Sequence, residues 1–259
     1  MDGVLADMDA ALARMAEQEF RVTPKAPSGG LPSTSLRPEK PPGSEGRGPE
    51  EEQDASTGAD DPKDQPPAYD TALLAHLSAR QQTRLWQRVR DTRNFWETLD
   101  ECETGIVRRI QKLAHELRWD VLFVTQRPSS AGRTQQLQTQ HWLRRRGFEY
   151  PAVYTTQGSR GRIAASLTLD AHIDDRLDNC VDVASDSKAW SILVWRDAES
   201  FDRIRTSATN LGIAVVRTVG EALDKIEQAD RTASQPDQPA LLDRLRRAFK
   251  AGSKNPAST

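Results

Sequence analysis

From Trp119 onward, short apolar runs alternate with longer helical stretches, and this alternation limits what the chain can fold into more than any other feature. The runs cover residues 121–124, 152–154, 171–173, 192–195 and 213–216. Two of the intervening stretches end at Gly147 and Gly212, where glycine suits the left-handed position that closes a helix. Strands alternating with helices predict an α/β fold built on a doubly wound parallel sheet, buried on both faces. Such sheets bind ligands beyond the carboxyl ends of their strands, so the residues directly after each run are the candidates for chemistry.

Upstream of Trp119 the pattern is helical. Leu5, Met8, Leu12, Met15 and Phe20 are spaced for one face of a helix. Residues 23–68 hold ten of the fifteen prolines, with Leu31 and Leu36 as their large aliphatic side chains. That composition buries too little apolar surface to offset its ordering entropy and predicts a disordered insertion. Residues 70–117 read as basic, polar helices followed by a helix carrying Ile106, Ile110, Leu113 and Leu117, together a small helical cap and linker. The expected organisation is therefore residues 1–20, the insertion, the cap, an α/β core over 118–229 and a flexible tail over 230–259. Within that tail, residues 241–250 form a short, basic, amphipathic stretch that predicts a docked helix or a partner contact rather than a membrane anchor.

The strand ends carry a consistent set of side chains. Thr125 and Gln126 follow the first run, and Asp174 and Asp175 follow the third. Between them, Ser159-Arg160-Gly161-Arg162 opens a helix, and the chain starts Met1-Asp2-Gly3-Val4-Leu5-Ala6-Asp7. Taken singly these are ordinary features: a hydroxyl after a strand is usually a cap, and paired aspartates usually sit in turns. Their common placement at strand ends argues for a shared site.

In that order the motifs resemble the haloacid-dehalogenase superfamily, in its nucleotidase-like branch. Asp2-Gly3-Val4-Leu5-Ala6-Asp7 resembles the end of the first motif, and Val124-Thr125 the second. Ser159-Arg160-Gly161 stands where the third motif supplies a basic residue, and Ile173-Asp174-Asp175-Arg176 is similar to the acidic fourth. Phe95-Trp96-Glu97-Thr98-Leu99 resembles a phrase that precedes the second motif in deoxyribonucleotidase-like members.

The resemblance implies a Mg2+-dependent phosphatase acting on a small phosphorylated metabolite, nucleotides included. Magnesium favours hard oxygen ligands, here Asp174, Asp175 and the main-chain carbonyl of Asp2. Asp2 is the implied general acid and base. Thr125 binds a phosphoryl oxygen, with Gln126 beside it, and Arg160 balances the phosphate charge. Arg162 is a second candidate for the basic role, and Lys188 a third from outside the motif. Phe95 and Trp96 are candidates for stacking a base, against the plainer reading that they are core. Asp7 reads as structural or as a loop cap.

Two departures stand out. The implied nucleophile lies two residues ahead of Asp2, where this sequence has no residue, so it and the central strand that ends in it are expected upstream of Met1. The basic position holds arginine where the family usually has lysine, which keeps the charge and changes the geometry. The alternative expectation is a non-catalytic relative that uses the fold for binding or regulation.

The formal net charge is −2, which gives no general attraction to nucleic acid or anionic membrane. A nucleic-acid phosphatase tethered by the basic helical stretches is disfavoured for the same reason. The two cysteines and four histidines fall in no zinc-ligand spacing, and both thiols are expected to be reduced and buried. The acidic start lacks the features of a secretory signal, and the expected compartment is the cytoplasm.

Overall fold

The five apolar runs become five parallel strands, in a computed structural model that describes residues 1–20, 74 and 76–233. The insertion at 23–68, residues 70–73 of the cap and the tail beyond Ala233 lie outside the described residues, as does the stretch 241–250. Strands β3 (Leu122–Thr125) and β4 (Ala152–Thr155) pair with each other. Strands β5 (Ala171–Asp174), β6 (Trp190–Val194) and β7 (Ala214–Val216) form a second sheet in that order. The expected single sheet is thus present as two short parallel sheets, and β3 and β5 each keep one edge without a strand partner among the described residues.

Strand β6 shows why these segments are apolar throughout. Ile192 and Val194 enter a core with Ala214, Val216 and Leu223, while Leu193 enters a separate one with Cys180, Ile204 and Ile213. Successive side chains point to opposite faces, so burial on both sides favours apolar residues at successive positions; Ser191, the buried polar residue of β6, donates its hydroxyl to the Cys180 carbonyl at 3.0 Å. The faces are covered by α6 (Leu177–Asp186), α7 (Phe201–Asn210) and α8 (Val219–Ala233). Helix α4 (Gln135–Arg145) covers β4, and the short α5 (Arg160–Ser166) packs on α6. That last contact is close enough to require glycine: a Cβ at Gly161 would lie 2.3 Å from the Asp182 carbonyl oxygen.

The described residues ahead of Trp119 are largely helical as expected, with one shift. Helix α1 starts at Met8 and runs to Phe20, not from Leu5, because the Leu5 and Ala6 N–H groups both donate to the Met1 carbonyl and hold a tight turn. Ala6–Asp7 then forms β1, paired antiparallel with β2 (Asp100–Glu101). Asp7 is a helix cap: its Oδ1 accepts from the Ala10 N–H at 2.9 Å. Helix α2 (Ala79–Asp91) begins in a capping box between Ser78 and Gln81 and packs against α1. Helix α3 (Ile106–Leu117) packs against α8. Among the described residues no helix is long and apolar enough to cross a membrane. Both cysteines are free thiols, Cys180 buried and Cys102 half-buried.

Candidate active site

The site is organised by the Asp2–Gly3 turn, which the chain grips from two sides. On one side stands β3. Thr125 Oγ1 donates to Asp2 Oδ2 at 3.0 Å, and Arg127 Nε donates to both carboxylate oxygens at 3.0 and 2.9 Å. Arg127 Nη2 adds a further bond to Asp2 Oδ1, and Nη1 donates to Thr139 Oγ1 at 2.6 Å. The guanidinium also lies 4.8 Å from the centre of the Trp96 ring. Burial by itself pushes the Asp2 carboxyl up. The Arg127 charge and hydrogen bonds, with the α-amino group and Thr125, outweigh it and hold the carboxyl below its usual range.

On the other side stands the end of β5. Asp174 is buried; its Oδ1 accepts from the Arg176 N–H at 2.9 Å and its Oδ2 from Asn179 Nδ2 at 3.0 Å. His172 Nε2 lies 3.6 Å from the same oxygen. Burial opposes ionisation of Asp174, but the α-amino group, His172 and these donors prevail and lower its pKa. At Asp175 the balance reverses: burial and the neighbouring Asp174 outweigh the α-amino charge and push its carboxyl up to about 7. Asp175 also closes on the turn, since a Cβ at Gly3 would lie 1.8 Å from its Oδ2. Gly3 has φ of +74°, so both space and backbone require glycine there. Arg196, just beyond β6, completes the grip by donating to the carbonyls of Gly3 and Val4.

The structure thus brings Asp2, Thr125, Asp174 and Asp175 to one turn. Arg160 is buried on the wall of a cleft that Met1 and Asp174 also line, and its Nη1 donates to the Gly158 carbonyl at 3.3 Å. Arg162 and Lys188 are exposed, and Gln126 is half-buried. Phe95 and Trp96 lie in the core, edge to face at 4.9 Å. Trp96 is fully buried and donates its indole N–H to the Pro128 carbonyl at 3.0 Å, so it supports Arg127 from beneath.

Sequence reasoning passed over Arg127 and Arg196. Both stand two residues after a strand, at Thr125-Gln126-Arg127 and Val194-Trp195-Arg196. The strand-end rule that singled out the aspartates could have found them.

A divalent cation fits part of this arrangement. Two adjacent carboxylates, one held against ionisation by the other, are a donor set that gains from a cation. Among the described residues, however, no group of three or more His, Cys, Asp or Glu side chains is arranged to hold a metal. The reason is visible in the contacts: the Asp2 carboxylate is turned to Thr125 and Arg127, so any third donor there is main-chain or water. Compared with family models, curated proteins and solved structures, the chain matches none.

Proposed function

We propose that this chain is a magnesium-dependent phosphatase of the haloacid-dehalogenase-like type, its strands belonging to one doubly wound sheet and its substrate a small phosphomonoester. One observation supports this above others: Thr125 and the Asp174-Asp175 pair, far apart in sequence and at two strand ends, converge on the turn that carries Asp2. The reading assigns the nucleophile to a carboxylate two positions ahead of Asp2. That carboxylate attacks phosphorus as the bond from phosphorus to the alcohol oxygen breaks, giving an aspartyl-phosphate. Asp2 protonates the departing oxygen, then takes a proton from the water that releases inorganic phosphate and restores the carboxylate. Thr125 and Arg160 hold the phosphoryl oxygens. Magnesium, when bound by Asp174, Asp175 and the Asp2 carbonyl, supplies positive charge against the transferring group. For the acid step an anionic phosphoryl group competes for the Arg127 guanidinium; released from it, the buried Asp2 carboxylate takes up a proton from solvent, the one it then passes to the leaving oxygen.

A second reading has its own observation. Arg127 holds Asp2 in its ionised form, which suits a structural carboxylate in a protein that uses this fold only for binding. Turnover separates the two. A form carrying the upstream aspartate is expected to hydrolyse an aryl phosphate with Mg2+, and to stop in EDTA or on Asp174→Ala. Hydrolysis that survives either treatment overturns the metal-phosphatase reading. Binding of the phosphate ester without turnover supports the binding protein.

A further inference from the structure

Helix α5 carries Arg160 and has little of its own to hold it in place. It is seven residues long, too short to persist on local hydrogen bonds alone. Its apolar anchorage is small as well, since Ala164 packs with Val183 and Ala189 in a minor core. What α5 has instead is a polar anchor on α6. Asp182 Oδ2 accepts from the Gly161 N–H at 2.8 Å, and its two oxygens accept from the Ser159 hydroxyl at 3.1 and 2.9 Å. Ser159 Oγ in turn accepts from the Arg162 N–H at 3.0 Å, so the two side chains together cap the first turn. Burial pushes the Asp182 carboxyl up, but the Gly161 N–H, the Ser159 hydroxyl and the N–H and charge of Arg160 outweigh it and hold the carboxyl below its usual range.

The Arg160 guanidinium takes its direction from the same turn. Its Nη1 donates to the Gly158 and Thr156 carbonyls at 3.3 and 3.5 Å, so it follows wherever the start of α5 is placed. Its charge reaches the end of β5. Burial lowers the His172 pKa; Asp174 opposes this, and the α-amino group and Arg160 add to it. His172 itself lies 3.6 Å from Asp174 Oδ2. Only Asp175 and Arg176 stand between β5 and α6. The helix that follows the paired aspartates therefore also carries the anchor of the basic residue.

We propose that Asp182 is a positioning residue for Arg160: by gripping Ser159 and the Gly161 N–H it sets where α5 begins, and so fixes the guanidinium relative to Asp174 and Asp175. It acts through Arg160 and keeps the basic and acidic sides of the site in one rigid piece. Its consequence for phosphate rests on the phosphatase reading, whereas the positioning rests on the contacts alone.

The test uses the full chain and two readouts, the proton–nitrogen NOE of the Arg160 Nε–H and the affinity for inorganic phosphate in the presence of Mg2+. Asp182→Ala removes the carboxylate and should leave the Arg160 side chain as mobile as an exposed arginine. Asp182→Asn keeps one acceptor oxygen, should fall between that variant and the parent, and carries the comparison if the alanine variant does not fold. Ser78→Ala removes the cap of α2 and controls for a loss of stability alone; it should lower Tm and leave both readouts unchanged. Asp182→Ala is expected to weaken phosphate binding about tenfold. Arg160→Ala should weaken it at least as much, and the double variant no further than Arg160→Ala. An Arg160 as rigid in the Asp182 variants as in the parent overturns the proposal. So does a double variant that binds phosphate about tenfold more weakly than Arg160→Ala, since Asp182 then acts by another route. If Arg160→Ala binds phosphate as the parent does, the phosphatase role of Arg160 fails, and the NOE alone decides the positioning.

Discussion

Two carboxylate clusters face the Asp2–Gly3 turn, and the chain balances them in opposite ways. At β3, Asp2 meets the guanidinium of Arg127 and the hydroxyl of Thr125, and its charge is held. At β5, Asp174 has an N–H, an amide and a nearby imidazole, while burial and the Asp174 carboxylate beside it push Asp175 up to about 7. One cluster is neutralised from within. The other is short of positive charge, and that is where a cation from outside gains most.

Breaking the first cluster has the largest expected effect. Arg127→Met leaves a buried carboxylate unpaired and should cost about 3–5 kcal/mol in urea unfolding. Asp2→Asn combined with Arg127→Met should recover most of that loss. A double variant as unstable as the single one would show that the pair is not the unit of stability.

Asp175→Asn relieves the second cluster instead. The folded state holds the Asp175 carboxyl above its unfolded value of 3.8, at about 7. Its contribution is therefore fully present below about pH 4 and lost as pH rises through about 7. The variant should melt above the parent near pH 8 and equal it near pH 4. The gap is smaller than the Arg127 effect because Asp175 is only half-buried. The opposite pH order would mean that Asp175 is stabilised as a carboxylate.

Magnesium should act on the same charge deficit. At a concentration ten times Kd it stabilises by about 1.4 kcal/mol, seen as a rise in Tm near pH 8. Asp174→Ala should abolish the rise; a rise that persists places the cation elsewhere. The smallest effect is expected at Arg162. Arg162→Ala should change stability by no more than about 0.5 kcal/mol and leave both clusters as they are, because the side chain is exposed.

Much of the frame was legible in the sequence because its signals are local. Residues 171–173 and 192–195 are apolar since β5 and β6 are covered by helices, and the structure places strands at Ala171–Asp174 and Trp190–Val194. The aspartates at the end of β5 followed from the same alternation. What was not legible depends on distant partners. The strand-end rule marks Arg127 and Arg196 as candidates, but nothing near Asp2 announces that these two, 125 and 194 residues away, are its turn's partners, and both reach the turn only once the strands are assembled. Leu5 fits the helical spacing, yet a turn closed on the Met1 carbonyl takes it out of α1. Phe95 and Trp96 suggested a base-stacking wall, but aromatic rings are equally suited to core, and here Trp96 sits beneath Arg127 and beside Gln138 with Phe95 packed against it.

The contrast between the clusters is tested most directly by following individual aspartate carboxyl carbons by NMR as pH is changed. The account predicts that Asp175 titrates near 7 and that Asp2 stays ionised well below the usual carboxylate range. It also predicts that Mg2+ draws the Asp175 midpoint down while leaving Asp2 unmoved. An Asp175 that titrates with the ordinary carboxylates near 4, unaffected by Mg2+, would contradict the account.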